Sequence, residues 1–269
     1  MTKEVIDLQI WQLIAAYIFV IIVLLIIRVR RIGREKQLII STLRMTIQLV
    51  LVGYLLIYIF NNAHPAWTII YILAMELFAI RNVYNRQSVP LSPAIKRSIA
   101  LSIIIGTLVA IIYFLFVVIV VRPWFDPQYV IPIAGMLIGN SMTGIALGVS
   151  TLVEGMYSHK ETIRQALMLG ATARAAAKPI MDSAFDSAIM PTINSMLGMG
   201  IVFLPGMMTG QILSGVSPLV AIEYQIAILL GILGAVSLTV ILFIQLGYKT
   251  FFNKDTQFII YEGENVHHS

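Results

Sequence analysis

The sequence predicts an all-α, polytopic membrane protein with seven transmembrane helices, its N-terminus outside and its C-terminus cytoplasmic. Three observations predict it. Hydrophobic residues make up 59% of the 269 residues and charged residues 12%, where a soluble domain carries roughly 25% charge. Seven long apolar runs divide the chain, each close to the ~20 residues that cross a hydrocarbon core. Lys and Arg gather in alternate connections, which marks those connections as cytoplasmic.

The runs are residues 8–27, 39–60, 67–83, 98–121, 130–153, 188–204 and 219–246. Arg28, Arg30, Arg31, Arg34 and Lys36 follow the first run, and Arg81, Arg86, Lys96 and Arg97 lie about the third connection. Lys160, Arg164, Arg174 and Lys178 separate the fifth and sixth, and Lys249 and Lys254 follow the seventh. The connections 61–66 and 204–218 hold no Lys or Arg, and the loop around Asp126 holds only Arg122. The first run is a retained span rather than a signal peptide: Lys3 is offset by Glu4 and Asp7, and the basic cluster comes after the apolar stretch. Residues 1–253 form one transmembrane domain. Residues 254–269 are a short polar cytoplasmic tail in which His267 and His268 are a frayed end.

Polar groups within the runs are few. The fourth run has only Ser102, Gly106 and Thr107 as small or polar interruptions and is expected to face lipid. Arg44 and Gln48 share a face of the second run, and the third carries Glu76. At 1.5 Å per residue, Arg44 lies ~8 Å and Glu76 ~10 Å inside the basic boundary. A charge at that depth is costly unless paired or wetted, so Arg44 and Glu76 are expected to pair. The bland alternative has Arg44 snorkelling to the interface and Glu76 held by backbone or Gln48.

In the fifth run, Gly135, Gly139, Gly144 and Gly148 surround Asn140, Ser141 and Thr143. Small residues four apart let helices approach closely. Asn140, Thr143, Leu147 and Thr151 align as a partly polar stripe, able to line a path or simply to pack. Residues 160–186 are too charged to span and rich in Ala, and predict a cytoplasmic helix. Ile163, Ala166, Leu167 and Gly170 fall on one apolar face, suited to a partner's groove or to the headgroup layer. From 191 to 218, Pro191, Gly198, Gly200, Pro205, Gly206, Gly210 and Gly215 argue against unbroken helix. Irregular backbone at membrane depth survives only in protein or beside a watery cavity. Asn194, Pro205, Gly206, Met207, Met208 and Gln211 are therefore candidates for a path or gate centred on residues 204–215. Met207 and Met208 offer thioethers to a soft metal, though gap-filling is the commoner use of Met.

Other chemistry is thin. There is no Cys, and the four histidines (His64, His159, His267 and His268) lie outside the apolar runs. No nucleophile and base spacing suggests an enzyme, and metal ligands are unknown. The net charge of +5 belongs to the membrane face rather than to a nucleic-acid site. A phosphate-cradling GxxxxGK[ST] run is absent, so this chain does not hold nucleotide phosphates by that route, and any ATP and Mg would sit on another subunit. A stand-alone cation carrier or channel using Glu76 is the alternative class.

The stretches IGNSMTGIALG, ALMLGAT, IMPTINSMLGMGIVFLPGMMTGQILSGVSP and EYQI resemble the FetB-type (UPF0014) ABC transporter permease family, which includes iron exporters and plant aluminium-tolerance proteins. The resemblance implies a permease subunit in the cell membrane. It implies pairing with a second copy and with separate ATP-binding subunits, no cofactor of its own, alternating access and iron export. Residues 164–172 are similar to the coupling-helix motif of ABC importers: Ala166 and Gly170 keep its spacing. Arg164 and Gln165 replace its Glu and first Ala, and Pro191 lies farther off than its proline. The resemblance thus implies ATPase coupling by Ile163, Ala166, Leu167, Gly170, Ala171 and Thr172.

Overall fold

The computed structural model describes residues 9–253 and 255–259. The expectations for Lys3, Lys254, His267 and His268 lie outside the described residues. The described chain is helical, with two isolated bridges in place of strands. In order the helices are α1 (Ile10–Ala16), α2 (Ile18–Val29), α3 (Glu35–Asn61), α4 (Pro65–Arg86), α5 (Pro93–Tyr113), α6 (Pro127–Ser158), α7 (Lys160–Met168), α8 (Ala173–Gly198), α9 (Gly206–Leu213) and α10 (Pro218–Gly247). A π-helical turn, Phe114–Val118, extends α5, and a 3-10 turn, Tyr248–Phe251, closes α10.

Four long helices begin on the same device. A capping residue precedes a proline at His64-Pro65, Ser92-Pro93, Asp126-Pro127 and Ser217-Pro218. Proline suits the first helical position because its missing N–H has no partner there anyway. In three of them the capping side chain accepts a backbone N–H: His64 from Ala66, Ser92 from Ile95 and Asp126 from Gln128. These caps start α4, α5 and α6 two to five residues earlier than the hydropathy boundaries.

The core lies among α5, α6, α8 and α10, with α4 laid against α6. Helices approach closely where side chains are small. A Cβ on Gly106 of α5 would lie 2.5 Å from Thr239 Oγ1 and 2.7 Å from its Cα on α10. One on Gly144 of α6 would lie 2.6 Å from Val236 and 3.1 Å from the Ala188 carbonyl of α8. By contrast α1, α2 and α3 bury almost nothing, and α3 touches the bundle only lightly, at α6.

Three expectations are corrected. The fourth run does not simply face lipid: Ser98, Ser102, Gly106 and Ala110, four residues apart, form a buried face of α5. The predicted helix 160–186 is broken. α7 stops at Met168, Gly170 adopts a left-handed φ of 89°, and the Thr172 hydroxyl caps α8 by accepting from Ala175 N at 3.2 Å. The predicted run 188–204 is not one element, because residues 188–198 are the second half of α8 and the chain is irregular from Met199 to the start of α9. Pro191 sits inside α8 without ending it, as membrane helices tolerate when neighbours re-satisfy the backbone. Among the described residues, six helical stretches are long and apolar enough to cross a membrane: Ile10–Val29, Glu35–Asn61, Pro65–Arg86, Pro93–Val118, Pro127–Ser158 and Pro218–Phe251. α8 is not among the six. Its first half carries Arg174, Lys178, Asp182 and Asp186.

Candidate translocation wall and partner-binding corner

One end of the bundle is built around α7. Gln87 Nε2, just past α4, donates to the Ala146 carbonyl of α6 at 3.3 Å, so the end of α4 is level with the middle of α6. Residues 147–158 of α6 therefore run about 18 Å beyond it at 1.5 Å per residue. α7, the start of α8 and the chain after α10 gather around this projection. Tyr157 of α6 meets Phe251 edge-on at 6.3 Å, and Phe258 stacks on Phe251 at 6.3 Å. Thus the stretch expected as a plain polar tail begins by turning back: Asn253 N donates to the Gln257 carbonyl at 3.0 Å, and Phe258 is buried.

On this platform the predicted coupling residues divide. Ile163 is buried, at 1% exposure, and Leu167 packs on the chain's own core. That corrects the idea of one free apolar face on Ile163, Ala166 and Leu167, because an amphipathic helix buries its apolar stripe against the nearest core available. Gly170 and Thr172 are exposed, and Ala166 and Ala171 half-buried. The apolar side chains that do project are Met168 and Leu169, 85% and 89% exposed. Hydropathy alone missed them, since they lie where the helix stops.

The second feature is a polar wall along α6 and α8. Asn140, Thr143, Leu147, Glu154 and Ser158 are exposed on α6, with Thr151 half-buried in the same line. Asn140 and Thr143 turn their side chains back to the carbonyls of Met136 and Gly139, at 2.8 and 3.2 Å. Beside them α8 exposes Ser183 and Asn194, while Asp182 and Asp186 are exposed on the side of α8 turned away from α6, Asp182 paired with Lys178. The close approach of Gly144 to Ala188 and of Gly155 to Ile180 fixes an antiparallel register that puts Asn194 level with Asn140. Toward the α7 end the two lines enclose a cavity of about 520 Å³ lined by Thr151, Glu154, Ser158, Thr162 and Ser183 among others. The sequence named Asn140, Thr143 and Asn194 as path candidates but not Glu154 or Ser183. The predicted helix 160–186 set Ser183 outside the membrane, and Glu154 fell just past the fifth run.

Arg44 and Glu76, expected to pair, are held apart. Glu76 is buried between α4 and α5, where the Thr107 hydroxyl donates to its Oε1. The Arg44 guanidinium lies over the Phe78 ring, 5.4 Å from its centroid. α3 is too loosely attached to bring Arg44 deeper, and the cation finds an aromatic face instead. Glu76→Gln should leave thermal unfolding in detergent nearly unchanged, because the amide oxygen still accepts from Thr107. Glu76→Arg should be strongly destabilising, and adding Arg44→Glu should not restore it; restoration would mean that the two residues meet.

At the opposite end, Pro205 precedes α9, Gly206 is exposed with open space around it, and Met207 packs on the core. Met208 is buried, and Gln211 keeps a buried Oε1 without a hydrogen-bond partner. Residues 205–211 lie at this end in an irregular segment with a short helix, whereas Asn140 and Thr143 sit midway along α6. Among the described residues no three His, Cys, Asp or Glu side chains gather to hold a metal.

Comparison with known proteins agrees with a membrane chain of this length and order. Residues 10–252 match the family described as Uncharacterised protein family (UPF0014). The chain is similar to the UPF0014 membrane protein YjkA of Bacillus subtilis, 34% identical over 240 residues, covering 89% of this chain and 94% of that one. It is 32% identical over 249 residues to the Probable iron export permease protein FetB of Escherichia coli, covering 93% and 94%. With the protein ALUMINUM SENSITIVE 3 of Arabidopsis thaliana it shares 34% over 243 residues, covering 90% and 87%. No solved structure matches. With its long apolar helices and a match spanning nearly the whole described chain, the protein is a multi-pass membrane protein belonging to the UPF0014 family.

Proposed function

We propose that this chain is the permease subunit of an ABC transporter in the cell membrane, working as a homodimer with a separate ATP-binding subunit and exporting iron by alternating access. The observation that carries the reading is the α7–α8 corner, where Met168 and Leu169 project at 85% and 89% exposure from a helix anchored by buried Ile163. Two bare apolar side chains beside a left-handed glycine form a knob for a partner's groove. The corner stands at the end where the basic connections lie, which the positive-inside rule makes cytoplasmic. ATP therefore acts from that side, with the N-terminus outside. The α6–α8 wall supplies one half of a path, and a second copy supplies the other. Closure of the ATPases pulls the corner and tilts α6 and α8. The cargo and its direction follow the name of the Escherichia coli relative.

Replacing Met168 and Leu169 together by Asp should abolish co-purification with the ATP-binding subunit while leaving the thermal midpoint of the permease unchanged, since both side chains are exposed. Full association by that variant would end the coupling role. Reconstitution of both subunits in vesicles then tests the cargo, with ATP-dependent movement of iron expected. A second reading, an ATP-independent cation carrier, draws on Glu76, whose Oε2 is buried without a hydrogen-bond partner. Cation movement by the permease alone, without nucleotide, would favour it.

A further inference from the structure

At the end opposite α7, three methionines close in sequence converge on one cavity. Met196 lies in the last turn of α8, Met199 is the residue at which α8 ends, and Met208 lies in the first turn of α9. Between them the backbone doubles back: Gly200 is left-handed at φ 80°, and its N–H donates to the Phe203 carbonyl at 3.0 Å. This turn brings the three methionines to the lining of a cavity of about 400 Å³, whose other walls include Leu204, Ile222, Ile226 and Leu229. Gln225 of α10 also lines it. That amide is buried, at 8% exposure, and its Nε2 faces Met199 Sδ at 3.8 Å. A buried amide usually finds an oxygen; here its neighbour is a sulfur.

We propose that Met196, Met199 and Met208 form a binding site for a soft monovalent cation, Cu(I) or its redox-inert counterpart Ag(I). Thioethers are soft neutral donors that select Cu(I) over the hard divalent ions, which demand oxygen or nitrogen. The chain has no Cys, and no cluster of His, Asp or Glu among the described residues competes for the ion. Apolar walls favour an ion that sheds water easily. Unbranched Met side chains have enough rotatable bonds to draw their sulfurs inward around it. The neighbouring Met207 packs on the hydrophobic core and does not line the cavity. The residue next door thus serves as an internal control.

The site is independent of the transport reading, because occupancy is measured on the full-length permease alone, in detergent, without an ATPase. Ag(I) titrated against a competing chelator should saturate one site per chain. Met196→Leu, Met199→Leu and Met208→Leu each keep the side-chain volume, and each should weaken Ag(I) by at least about tenfold. Met207→Leu should bind as the native chain does. X-ray absorption of the Cu(I)-loaded protein should show sulfur neighbours that the triple Leu variant loses. If the triple variant folds with an unchanged thermal midpoint and still binds Ag(I) with native affinity, or if the native chain takes up no ion, the assignment is overturned. Loss of ATPase association in the corner variant would leave this result untouched.

Discussion

Gly106→Ala should lower the thermal midpoint of the purified permease by several degrees, although it adds a single methyl group. The new Cβ would meet Thr239 at 2.5 Å from Oγ1, 2.7 Å from Cα and 2.9 Å from N. Two of those atoms are backbone, so no rotamer change relieves the contact, and α5 and α10 must move apart along their most extensive interface. Overpacking of this kind costs about 1–3 kcal/mol, and for a chain of this size each kcal/mol moves the midpoint by roughly 2–4 °C. Gly139→Ala in α6 supplies the contrast. A Cβ there meets nothing within 4 Å, so the helix gains up to about 1 kcal/mol from the better helix former. Differential scanning fluorimetry in one detergent compares the two, and an unchanged midpoint for Gly106→Ala would mean that α5 and α10 do not touch there.

On the proposed coupling, Gly170→Val should abolish stimulation of the ATP-binding subunit while leaving the permease folded. The reason is conformational rather than steric, since nothing lies within 4 Å of a Cβ at this residue, whose φ is 89°. A β-branched residue held there costs about 1–3 kcal/mol, which the corner sheds by changing shape and swinging Met168 and Leu169 off their line. Gly170→Asn tests the cause, because Asn enters the left-handed region more readily than other side chains. It should keep much of the stimulation. Equal loss in both variants would point to a requirement for the bare backbone itself, and normal stimulation in the Val variant would remove the corner from coupling.

Much of the membrane architecture was legible in apolar runs, and its errors came from groups that hydropathy does not weigh. The cap and proline pairs at 64–65, 92–93, 126–127 and 217–218 announce where four helices begin. A hydropathy boundary misses them because Ser, Asp, His and Pro only dilute the average. The buried face of α5 was also readable as Ser98, Ser102, Gly106 and Ala110 at intervals of four, a small-residue ladder hidden among Ile and Val. Residues 173–198 were divided in the wrong place, because charge dominates one half of α8 and apolarity the other. The site was less legible. Asn140, Thr143 and Asn194 stand out in the sequence as polar residues in apolar surroundings. Met168, Leu169 and the Met196–Met199–Met208 cavity arise from how helices end, which depends on tertiary placement. The separation of Arg44 from Glu76 has the same origin, since nothing local reveals how weakly α3 is attached.

α8 is one helix of 26 residues, ~39 Å long at 1.5 Å per residue, and it starts at the corner and ends at the methionine cavity. One helix shared by two sites couples them mechanically, but only through its two weakest turns: a displacement at Ala173 reaches Met196 after passing both of its internal prolines. Its compliance is concentrated at Pro179 and Pro191, the two places where the helical ladder lacks an N–H. A load along the helix is taken up first at those two positions, which leaves residues 180–190 as the stiff link between them.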